Sequence, residues 1–133
     1  MPGNLEIIFT DWVDALRRGD LEALEARLAP DIVHQGIRAE LVCSGRDAVL
    51  ARLRRRAAHP PEVTAVELVE SGDQVVLSLR APGIGVPLED GREPRGQATI
   101  VFTLRDGLIT RMQDYLDRGS ALASVAAEDG VWQ

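Results

Sequence analysis

The dipeptide Asp106-Gly107 restricts the fold more than any other pair in the chain, because it joins two runs of alternating side chains. Asp-Gly between such runs marks a tight hairpin turn, so Gln97 to Arg105 and the stretch from Gly107 to Asp117 read as paired strands. Side chains alternate across a strand. On the first strand Ala98, Ile100, Phe102 and Leu104 therefore share a face. On the second, Met112, Asp114 and Leu116 share one face, and Arg111, Gln113, Tyr115 and Asp117 share the other. Asp114 is the odd member of an apolar row. A carboxyl group in such a row has to be hydrogen-bonded, paired or lining a cavity.

Glu62 to Glu70 and Gln74 to Ala81 read as an earlier hairpin around Ser71-Gly72-Asp73. Between the two hairpins, residues 82–94 are too rich in Pro and Gly for regular structure. A loop of this length is expected to act as a lid or a contact surface. Upstream the pattern is helical. Leu5, Ile8, Phe9, Trp12, Val13 and Leu16 recur at helix spacing, and Gly19 ends that helix. Asp20 caps a second helix, which Ala29-Pro30 is expected to stop. Asp31 to Gln35 is a short extended piece, on which only one of His34 and Gln35 can point inward. Ser44-Gly45-Arg46-Asp47 opens a third helix with Ala48, Val49, Leu50 and Leu53 inside and Arg52, Arg54, Arg55 and Arg56 on a solvated outer side. From Gly119 onward the Ala-rich tail is expected to form a short helix, with Trp132 packing back onto the body or on a partner chain. The order of elements gives one α+β domain over 1–133, three N-terminal helices packed in a strongly curved, mixed or antiparallel sheet.

Composition removes several function classes. The formal net charge is −6, and all 15 basic residues are Arg. Neither nucleic acid nor an anionic membrane is expected as a partner of such a chain. A single cysteine, Cys43, rules out an internal disulfide and a cysteine-built zinc site. His34 and His59 lie in separate segments, so no metal site is expected. The N-terminus has no signal-peptide pattern and no apolar run reaches a membrane span, which points to the cytoplasm.

Trp12 to Asp20, Leu28 to Val33, Ser44 to Val49, Phe102 to Ile109 and Asp114 to Asp117 occur in an order that resembles the nuclear-transport-factor-2-like superfamily, in its SnoaL-like and ketosteroid-isomerase-like branches. The resemblance implies a cone whose open end holds a small hydrophobic molecule, with no cofactor required, and a homodimer formed through the outer sheet face. For that face the expected residues are Val76, Thr99, Val101, Thr103, Gln113 and Tyr115.

The same resemblance assigns the candidate site. Asp114 falls on the strand where related polyketide cyclases carry an acid, and His34 is the second candidate for proton transfer. Trp12 falls at the oxyanion-hole Tyr of the isomerases, Gln35 at their catalytic Asp and Ile100 at their second oxyanion acid. An amide cannot abstract a proton, so the isomerase mechanism is disfavoured. Trp12, Gln35, Ile100, Phe102, Met112 and Leu116 are the expected substrate-binding set. An Asp-Arg-Asp set of the related epoxide hydrolases lacks its Arg and second Asp on the neighbouring strand. Two readings stay open: an acid/base enzyme acting on a polyketide, terpenoid or steroid-like ring, and a non-catalytic binding or dimerisation module.

Overall fold

A computed structural model describes residues 3–82 and 96–129, with side chains placed as far as Val125. The expectations for 83–94 and for Trp132 fall outside the described residues. Helix α1 is α-helical over Asn4–Glu6, π-helical over Ile7–Val13 and α-helical again over Asp14–Arg18. The wider π turn places Ile7 and Ile8 above Trp12 and Val13, five residues on, and all four are buried. Phe9, which regular α-helical spacing puts on the inner face, is exposed instead.

Gly19 ends α1 in the left-handed conformation at φ 67°. Asp20 then caps α2, Leu21–Glu25, by accepting a 3.1 Å hydrogen bond from the Ala23 amide. A Cβ at position 19 would stand 2.7 Å from the Ala57 carbonyl oxygen, a backbone atom. Gly19→Ala therefore combines left-handed strain with a collision. It is expected to cost more than about 1 kcal/mol, measurable as a lower urea midpoint.

Strand β1, Leu28–Gln35, begins where the sequence suggested only a helix stop. It runs through Pro30 because its parallel pairing with the last strand is irregular between Leu28 and Val33, so the missing proline N–H breaks no ladder bond there. A short strand β2, Val42–Ser44, which the sequence reading left as loop, pairs antiparallel with β1. Helix α3, Arg46–Ala58, follows. Strands β3 (Ala65–Ser71) and β4 (Gln74–Arg80) form the first expected hairpin, and β5 (Gln97–Arg105) and β6 (Leu108–Tyr115) the second. Asp106 at φ 54° and Gly107 at φ 80° make the second turn, with both central residues left-handed as a type I′ hairpin requires.

The six strands form one sheet in the order β2-β1-β6-β5-β4-β3, antiparallel except between β1 and β6. On its inner face Leu28, Ile32, Val75, Leu77, Phe102, Ile109 and Met112 meet Ile8, Trp12, Val13 and Leu16 of α1, Leu24 of α2 and Val49 and Leu53 of α3. Arg27 ties one end of this layer together. Its guanidinium donates to the Gly107 carbonyl at 3.1 Å and pairs with Asp11, while its carbonyl accepts from the Ile109 amide at 2.7 Å.

Helix α4, Arg118–Asp129, lies on the outer face. Ala121 and Val125 pack there on Val76 and Val101, with Tyr115 and Leu122 beside them, and Arg118 pairs with Glu67 of β3. Part of the surface expected to pair two copies of the chain is thus covered by the chain's own helix. No helix among the described residues is long and apolar enough to cross a membrane.

Candidate functional site

Ladder register decides which side chains reach the cavity. The β5–β6 pairing shifts by one residue, Thr103 facing Arg111 and Leu104 facing Ile109, so Thr110 is the extra residue. Such a bulge reverses the facing of everything on one side of it relative to the other. Here it comes before Met112, and both Ile109 and Met112 point into the core. From Met112 onward alternation is undisturbed, and Asp114 shares the inner face with Met112. Asp114 is flanked by Ile100 on β5, and on β1 by His34, which pairs with Met112.

The resulting side-chain geometry is a pair with a third member. His34 Nε2 lies 2.9 Å from Asp114 Oδ1, and Arg52 Nη2 lies 3.6 Å from Asp114 Oδ2. A carboxylate can only accept, so Nε2 carries the proton in this contact. His34 Nδ1 is buried and has no hydrogen-bond partner among the described residues. The imidazole is the inner member, 7% exposed against 20% for the carboxylate, and Arg52 is half open to solvent at 39%.

These groups form part of the wall of a cavity of about 640 Å³. Trp12, Leu16, Leu53, Leu79, Ala98, Ile100 and Met112 supply apolar wall, Ile37, Leu41 and Leu116 join them, and Thr99, Tyr115 and Gln97 contribute on the sheet side. Arg55, Arg56 and His59 join Arg52 along the α3 flank. The volume is in the ordinary range for a small-molecule site.

Of the expected site residues, Asp114, His34, Trp12, Ile100, Met112 and Leu116 line this one cavity, Leu116 from past the end of β6, where it is 63% exposed. Two residues of the anticipated set are placed elsewhere. Phe102 is fully buried behind Trp12, their rings meeting edge to face at a centroid distance of 5.5 Å, and it does not line the cavity. Gln35 takes the outward side of the His34/Gln35 alternation. Its amide donates to the Arg38 carbonyl at 2.9 Å and the Gly36 carbonyl at 3.1 Å, which organises the turn between β1 and β2. Gln35→Glu replaces that donor by a carboxylate facing carbonyls. It is expected to lower stability by about 1 kcal/mol in thermal unfolding while leaving the cavity intact.

The sequence reading missed the arginines. It placed Arg52, Arg55 and Arg56 on a solvated side of α3, yet all three border the cavity. The available signal was their spacing. Arg52 and Arg56 are one turn apart and flank buried Leu53, so they stand at the edge of the apolar stripe. Cys43 faces His34 across the β1–β2 ladder but neither hydrogen-bonds to it nor lines the cavity. Among the described residues no three His, Cys, Asp or Glu side chains are grouped as a metal site.

Comparison with solved structures defines the architecture. The chain is similar to an NTF2-like protein of unknown function from Burkholderia pseudomallei, with a TM-score of 0.64 at 20% identity, covering 94% of this chain and 98% of that one. A candidate polyketide cyclase from Pseudomonas putida aligns with a TM-score of 0.66 at 17% identity, covering 95% and 100%. TerC, co-crystallised with polyporic acid, aligns at 0.61 and 20% identity, covering 93% and 98%. These likenesses establish the NTF2-like cone fold. The family model for the SnoaL-like domain matches residues 9–112, and the chain belongs to that family. The match includes Trp12, His34 and Arg52 and stops short of Asp114. No curated protein matches the sequence.

Proposed function

We propose that the chain is an acid/base enzyme acting on a hydrophobic metabolite of the polyketide, terpenoid or steroid-like kind, with Asp114 as the proton-transferring group and His34 as its partner. The observation that carries this reading is the single carboxylate among the described cavity-lining residues, hydrogen-bonded on one oxygen to a buried imidazole. Asp114 is the more exposed of the two, so it is the group a ligand meets, while His34 fixes its orientation from behind. Oδ2, which has no contact with the imidazole, is the oxygen left for proton transfer. Arg52, at 3.6 Å from it, is long for a hydrogen bond yet close enough to stabilise negative charge developing nearby.

Trp12 supports the same reading. It lines the cavity, its ring is held by Phe102, and its indole N–H has no acceptor among the described residues, which leaves that donor for a carbonyl of the ligand. The chemistry is proton transfer at a carbon next to a carbonyl, the first step of a cyclisation, isomerisation or dehydration, and it needs no cofactor. Candidate polyketide cyclases and a protein crystallised with polyporic acid among the fold neighbours are consistent with a small organic ligand.

A second reading, a binder without turnover, is favoured by one observation: both Asp114 oxygens already face a protein partner. The two are separated by incubating the protein with cyclic ketones and aromatic polyketide-like dicarbonyls in deuterium oxide and following carbon-bound deuterium by NMR. Exchange that depends on Asp114 supports the enzyme. Binding of the same compounds without exchange supports the binder.

A further inference from the structure

The charge of the cavity wall opposes the charge of the chain. The protein as a whole carries a net charge of −6, yet the described lining residues include three arginines, Arg52, Arg55 and Arg56, against the single acid Asp114. Only Arg52 is paired with that acid. Among the described residues, Arg55 and Arg56 form no ion pair or hydrogen bond with another side chain. Both stand in the last turn of α3. That position suits cations at the helix's negative end, but it does not explain why two of them border a cavity whose lining is mostly apolar. Trp12, Leu79, Ala98, Ile100 and Met112 supply much of that apolar lining, with Thr99, Tyr115 and Gln97 among them.

A mostly apolar lining bordered by two guanidiniums with no acidic partner among the described residues is complementary to one class of molecule. The geometry points to an organic anion as the ligand: a hydrophobic ring body bearing a carboxylate or an ionised enol, seated with its charged group toward Arg55 and Arg56 and its rings over Trp12 and Ile100. Arg recognises carboxylates through paired, charge-assisted hydrogen bonds that an uncharged analogue cannot replace. The placement also sets orientation. With its anion held at the α3 side, the ring body lies across the cavity toward Asp114 of β6. This inference rests on the cavity being the ligand site, but not on Asp114 acting as a base.

The test uses a matched pair of fluorescent probes, anilinonaphthalene sulfonate and the uncharged phenylnaphthylamine, titrated into the full-length protein. The anionic probe is expected to bind about tenfold more tightly than the neutral one, with a preference that shrinks as salt is raised. The double variant Arg55→Gln/Arg56→Gln is expected to erase that preference while leaving the neutral probe's affinity within about twofold. Arg54→Gln makes a single charge change on the same helix at a position off the cavity, and serves as the control that leaves the preference in place. Equal affinity for both probes, a preference that survives the double variant, or equal losses in the Arg54 and Arg55/Arg56 variants would each overturn the inference. Its failure is distinct from failure of the acid/base reading. Asp114→Asn that retains deuterium exchange sinks the enzyme and leaves the anion preference standing, and an absent preference sinks the anion and leaves Asp114-dependent exchange standing.

Discussion

Asp114→Asn is expected to lower the rate of carbon-bound deuterium exchange by about 100- to 10,000-fold, the range a positioned general acid or base contributes. The substitution is chosen because it changes chemistry and little else. Asn keeps the shape of Asp and its side-chain oxygen can still accept from His34 Nε2, so the 2.9 Å contact has a substitute. What disappears is the charge and the capacity to take up a proton. Loss of the Arg52 interaction is a small stability effect, about 1 kcal/mol or less for a partly exposed pair, so unfolding midpoints should fall slightly and the fold should persist. Exchange within about twofold of the parent, with ligand binding retained, would eliminate proton transfer by Asp114 and leave the binder.

The same geometry separates the role of His34 from that of Asp114. His34 is buried, lines the same cavity and is less exposed than the carboxylate it contacts. Its removal is therefore a loss of positioning, smaller in exchange rate than the loss of Asp114. A protein in which His34 itself took the proton would show the reverse order.

How much of this site could be read in the sequence follows from where its determinants lie along the chain. Asp114 and Met112 were readable because facing on a strand is local, and the bulge at Thr110 happens to precede them. The hairpin turns and the Gly19-Asp20 junction were readable for the same reason: each is fixed by two adjacent residues. Arg52, Arg55 and Arg56 were not. A run of charge on a helix has the same pattern whether its flank faces solvent or a cavity, and only the curvature of the sheet opposite α3 decides between them. Phe9 was misplaced because a π turn is not announced by residue type, and β2 because three residues carry too little pattern. Pro30 inside β1 depends on an irregularity in a parallel pairing with a strand some 80 positions away, as the Leu28–Ile109 register shows.

Depth along a strand is the other non-local quantity, and Phe102 makes it testable. By alternation Phe102 belongs with Ile100 and Ala98, yet it sits between Val75 and cavity-lining Met112 without lining the cavity itself, while Ile100 pairs with Asp114 at the wall. Fully buried and in edge-to-face contact with Trp12, it supports that lining residue from behind. Phe102→Ala is expected to cost about 3–5 kcal/mol, the sum of lost transfer energy and the cavity left behind, a large share of the 5–15 kcal/mol or so that such a domain has in total. Chemical unfolding should show a much lower midpoint, and the protein is expected to be partly unfolded at physiological temperature. Phe102→Leu keeps most of the volume and is expected to cost about 1.5 kcal/mol or less. Because the side chain lies behind Trp12, that variant should bind the uncharged naphthylamine probe within about twofold of the parent. Weaker binding, out of proportion to the change in stability, would return Phe102 to the substrate-contacting set and show that the cavity extends one ladder step deeper than its described lining.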